Sequence, residues 1–64
     1  MNVNRCRTIL DGIQDNINAI FAELHSNHQE GYYLLEKIEP IEHDVEVLKN
    51  EFIALKEKQD KERS

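Results

Sequence analysis

The chain has 64 residues, of which 39% are hydrophobic and 33% charged, with a net charge of −5 at pH 7. A chain this short builds only a small core and normally needs disulfides, a metal or a partner chain, and its single cysteine, Cys6, excludes an intramolecular disulfide. The acidic balance works against nucleic acid and anionic lipid as partners, and no stretch approaches the ~18 apolar residues that span a bilayer.

The first residues, Met1 to Arg5, lack the apolar run of a secretory signal, so the expected address is the cytoplasm. The first element follows at once. Val3, Cys6, Leu10, Ile13, Ile17, Ile20 and Leu24 recur at alternating steps of three and four. That is the heptad a/d repeat of a helix with one apolar stripe, and it predicts a helix over about residues 4–26. Cys6 falls on the stripe and reads as a small buried hydrophobe in a reducing compartment. Ile9 and Phe21 flank the stripe and widen it, which suits a helix packed in a bundle.

A turn is predicted over about residues 27–31. The segment His25-Ser26-Asn27-His28-Gln29-Glu30-Gly31 is polar, and Asn27 and Gly31 fall where stripe residues are due. Ser26 with Gln29, and Asn27 with Glu30, have capping-box spacing, and Gly31 offers a positive φ for a chain reversal. The heptad count nevertheless runs through this segment unbroken. A single long helix of roughly 90 Å, at about 1.5 Å per residue, is the competing arrangement.

The second predicted helix covers about residues 32–60, with a frayed tail at 61–64. Its stripe is Leu34, Ile38, Ile41, Val45, Leu48, Phe52 and Leu55, flanked by Leu35. Pro40 interrupts it. An interior proline costs about 3 kcal/mol, whereas proline at the first position of a helix costs little, so a kink or a split near residues 39–40 is expected. Tyr32, Tyr33, Val47 and Ile53 lie off the stripe.

Charge is uneven along this second half. Residues 30–46 hold six carboxylates and one lysine, and residues 49–63 hold five cations and four carboxylates. Glu57 and Lys61 have the spacing of a helical ion pair. In a hairpin, Arg5 and Arg7 would reach Glu57, Asp60 or Glu62.

No catalytic, cofactor-binding or metal-binding residues are predicted. His25 and His28 share a helical face near Glu23 and Glu30, but no cysteine accompanies them and the Glu-x-x-His pattern of dimetal bundles is missing. Gly12 and Gly31 stand alone, so no glycine-rich phosphate loop exists. Ser26, Ser64 and Thr8 have no base placed beside them by the pattern.

The sequence therefore predicts an all-α antiparallel hairpin that dimerises into a four-helix bundle or coiled-coil-like assembly. The expected oligomer core is Leu10, Ile13, Ile17, Ile20, Leu24, Leu34, Ile38, Ile41, Val45, Leu48, Phe52 and Leu55. Tyr32, Tyr33, Glu36, Glu39, Glu42 and Glu46 form the expected partner surface. The function this implies is non-enzymatic protein–protein interaction: a homodimeric regulator or adaptor, of a kind plausible in phages and plasmids, docking another protein. Two alternatives are a structural coiled-coil subunit of a larger hetero-oligomer and, against the charge, a DNA-binding regulator.

Overall fold

A computed structural model of the chain describes residues 1–63. These residues form two α-helices, α1 (Val3–Leu24) and α2 (Gly31–Arg63), packed against each other as a hairpin. The single-long-helix arrangement is excluded, because the chain reverses between Leu24 and Gly31. Ser64, the end of the predicted frayed tail, lies outside the described residues; residues 61–63 continue α2.

The start of α1 is fixed by Asn2. Its backbone is extended (φ −91°, ψ 101°), and its side-chain oxygen accepts the Arg5 N–H at 3.0 Å. This satisfies one of the amides that the first turn leaves without a partner.

The reversal is built differently from the expectation. Among the described residues none has a positive φ, Gly31 included, and Gly31 is the first residue of α2. Neither expected capping box forms. Instead the Ser26 hydroxyl donates to the carbonyls of Glu23 and His28, and the Gln29 amide donates to those of Leu24 and Ser26. The Glu23 carboxylate reaches across the turn to accept the Glu30 N–H at 3.1 Å. Side chains thus take up the carbonyls that end α1, so no left-handed residue is needed. Glu30, just before α2, accepts the first helical bond, its carbonyl taking the Leu34 N–H at 3.0 Å.

α2 runs as one helix through Pro40, so of the two arrangements expected near residues 39–40, a kink or a split, the split is not observed. Proline removes the amide that would bond the Glu36 carbonyl. Glu36, Glu39 and Pro40 are all exposed, so water can serve that carbonyl.

Two contacts set the register. Arg5 Nη1 meets Glu51 Oε1 at 3.1 Å, and a Cβ on Gly12 would lie 3.7 Å from Asp44 Oδ2. Each step forward on α1 is therefore matched by one step back on α2. Arg5 pairs with Glu51, not with the more distal acids expected from sequence, because α2 outruns α1. In this register Val3 is level with about residue 53, so the last ten described residues extend past α1 by about 15 Å.

The core is small. Among the described residues Cys6, Ile13 and Leu48 are buried, with Ile9, Ile17 and Ile41 packed around them. The molecule measures 56 × 18 × 14 Å and its radius of gyration is 15.9 Å, against about 11 Å for a compact domain of this length.

Candidate self-association surface

Heptad letters expose how the apolar stripe is used. With Val3, Leu10, Ile17 and Leu24 at position a, Cys6, Ile13 and Ile20 occupy d. On α2, Ile38, Val45 and Phe52 are a, while Leu34, Ile41, Leu48 and Leu55 are d. Every d residue on both helices is buried or half-buried. The other covered positions are mostly g (Ile9, Asn16 and Glu23 on α1, and Lys37, Asp44 and Glu51 on α2) and c (Gly12 and Ala19 on α1, and Tyr33 and Val47 on α2). The two helices therefore meet along d and g with c at the margin, not along a and d.

Position a is left facing outward. Val3, Leu10, Leu24, Ile38, Val45 and Phe52 are all exposed, Leu10 and Val45 at 49% and Phe52 at 48%; Ile17 alone is half-buried. Residues seven apart share a face, so these side chains lie on one side of the hairpin. Two open depressions mark that side. One, toward the open end, runs between Leu10 and Ile13 on α1 and Val45, Leu48 and Phe52 on α2, with Lys49 and Lys56 along its edge. The other, nearer the turn, is bounded by Ile17, Ile20, Phe21 and Leu24 together with Ile38 and Ile41. They are heptad equivalents of one another, and both are walled almost wholly by hydrocarbon.

The surface area points the same way. The chain exposes 5291 Å². A compact monomer of 7.6 kDa exposes about 4,300 Å². The excess is about 1,000 Å², close to the ~800 Å² per partner that a specific interface covers.

The twelve residues expected in the oligomer core thus divide. Ile13 and Leu48 are spent inside the hairpin. Ile20, Leu34, Ile41 and Leu55 are half-buried along its seam, and Ile17 is half-buried at its edge. Leu10, Leu24, Ile38, Val45 and Phe52 remain on the open face. The expected partner residues divide too. Tyr32 is 86% exposed. Tyr33 is half-buried, with the Lys37 ammonium 5.4 Å from its ring centre. Glu36, Glu39, Glu42 and Glu46 are exposed. Near the turn, the His25 ring stacks on Phe21 with centroids 6.2 Å apart. Sequence reasoning did not anticipate polar residues in the seam. The signal lay in the register itself, since Asn16, Glu23, Lys37, Asp44 and Glu51 are spaced in heptads beside the stripe.

No helix of the described residues is long and apolar enough to cross a membrane. The chain matches no known protein family, and no curated protein or solved structure is detectably similar to it.

Proposed function

We propose that the chain is a non-catalytic protein-interaction module that assembles with itself, two hairpins packing open face to open face as a four-helix bundle. The assembly then displays its acidic turn ends and Tyr32 to a protein partner, as a small regulator or adaptor in the cytoplasm. One observation carries this reading: position a is apolar along both helices yet turned away from the hairpin's own seam. In a four-helix bundle each stripe aims at the common axis, so a helix meets one neighbour with d and g and the other with a and e. The hairpin supplies half of that arrangement and leaves the other half open.

The test is sedimentation velocity with circular dichroism over a wide dilution series. A helical dimer whose melting temperature falls on dilution supports the reading, because a partner that binds only the folded state stabilises it by mass action. A folded monomer at all concentrations overturns it. A chain unfolded at micromolar concentration also overturns it, and favours a structural role in which another polypeptide covers the open face.

A further inference from the structure

Resting on the reading that the open face receives a second copy, we infer that the two copies lie head to tail, with the turn of each beside the open end of the other. Three observations converge on this arrangement.

The first is the charge of the two halves of the hairpin. Residues 11–45, which fill the turn half, carry eight carboxylates and one lysine. The open half, residues 1–10 and 46–63, carries seven cations and five carboxylates. A head-to-head dimer sets the acidic half against itself. A head-to-tail dimer sets it against the half with a cationic surplus. Like charges opposed across an interface are what suppress a wrong arrangement.

The second lies on the rim of the open face. Position e flanks a, and on α2 it holds Leu35, Glu42, Lys49 and Lys56 in turn. Glu42 and Lys49 are both exposed. A two-fold axis crossing α2 between them, near Val45, brings Glu42 of each copy opposite Lys49 of the other, twice by symmetry. The head-to-head alternative places α1 against α2 at equal height. Arg7, the e residue of α1 level with Lys49 in the hairpin register, would then face the Lys49 of the other copy.

The third is the unequal length of the helices. The midpoint of α2 (Gly31–Arg63) is Val47, close to that same axis. Head-to-tail pairing about it overlaps α2 with its copy along nearly the whole helix. The ten residues that outrun α1 then lie beside the turn end of the other copy, so Lys58 and Lys61 come near the acids there. The product is a rod with its two acidic turn ends, each bearing an exposed Tyr32, at opposite ends. Such a rod bridges two partners instead of clamping one.

The experiment is a spin-label distance measurement on Asn27→Cys in a Cys6→Ala background, with the oligomeric state of the labelled protein checked by sedimentation. The head-to-tail arrangement places the two turns about 50 Å apart, from about 17 residues of helix on each side of the axis at 1.5 Å per residue. A dimer with turns closer than about 25 Å overturns head-to-tail packing and leaves self-association standing. A monomer by sedimentation overturns both.

Charge reversal gives a second, independent readout on exposed residues that the hairpin does not need for folding. Head-to-tail packing predicts that Lys49→Glu weakens the dimer about ten-fold at low salt, and that adding Glu42→Lys restores it. Head-to-head packing predicts the reverse for the single variant, since Glu at 49 would meet Arg7. A strengthened Lys49→Glu dimer therefore overturns the inference.

Discussion

Val45→Asp separates the open face from the hairpin seam. Val45 is 49% exposed in the hairpin, so an aspartate there keeps its hydration as long as the chain stays alone. Full burial of a valine is worth about 1.5 kcal/mol, and half of that, about 0.7 kcal/mol, remains to be gained by each copy on assembly. Truncation to alanine therefore loses about 1.4 kcal/mol per dimer, or about ten-fold in the dissociation constant. Aspartate adds the desolvation of two carboxylates, at several kcal/mol per ion, and the combined loss is at least about a thousand-fold. Sedimentation velocity on the purified variant reads this directly. Asn50→Asp is the control: it makes the same change of charge at an exposed position of α2 on the face opposite the a/d stripe, and should leave the dimer as it was. A Val45→Asp protein that dimerises as tightly as the parent refutes the assignment of this face. So does an Asn50→Asp protein that falls apart equally.

Ile13→Ala removes a buried side chain from the hairpin's own core and should lose about 2–4 kcal/mol, measured by urea unfolding at fixed chain concentration. Pro40→Ala restores an amide inside a continuous helix at an exposed position; stability should rise by about 1–3 kcal/mol, seen as a higher melting temperature, and a fall would show that α2 depends on the proline. Gly31→Ala should also stabilise, by about 0.4–1 kcal/mol, because Gly31 has no positive φ and nothing lies within 4 Å of an added Cβ. The same melting experiment checks it, and a lower melting temperature would mean that the backbone there needs glycine's freedom.

Both helices and the place of the reversal were legible in the sequence, because a three–four repeat admits a helix and no strand, and because the repeat turns polar between Leu24 and Leu34. Three features were not. The turn chemistry escaped because Ser26 and Gln29 have capping-box spacing, yet here they serve the end of the preceding helix; spacing alone does not say which helix a side chain caps. At Pro40 the choice between a kinked and a split helix stayed open, because the penalty for a split and for a proline carried on an exposed face cannot be ranked without the surface. The division of the stripe escaped for a deeper reason. Position a and position d are both apolar along these stripes, with Ile and Leu at each, Val and Phe only at a and Cys only at d, so hydrophobicity alone does not tell which of them a neighbouring helix will take.

What breaks that symmetry is the pair of flanking positions. On the g side the stripe is bordered by Ile9, Asn16 and Glu23 on one helix and Lys37, Asp44 and Glu51 on the other. These can be covered at a two-helix seam because such a seam stays partly wet; Glu51 still reaches Arg5 there, and both side chains keep contact with solvent. On the e side the border holds Arg7, Gln14, Glu42, Lys49 and Lys56 together with Phe21 and Leu35; these two apolar residues, at 59% and 60% exposure, lie level with each other near the turn and gain from a drier contact than a single hairpin can provide. A polar g border is workable at the contact that is tethered by the turn, where high local concentration compensates for a weak interface. Position a apart from the half-buried Ile17, with Phe21 and Leu35 beside it, is left for the contact proposed between copies, which has no tether and must be held by burial. The tethered contact can be poor because it is intramolecular, and the untethered one cannot. In the proposed assembly, that asymmetry makes the outward face of this hairpin the contact that has to be held by burial.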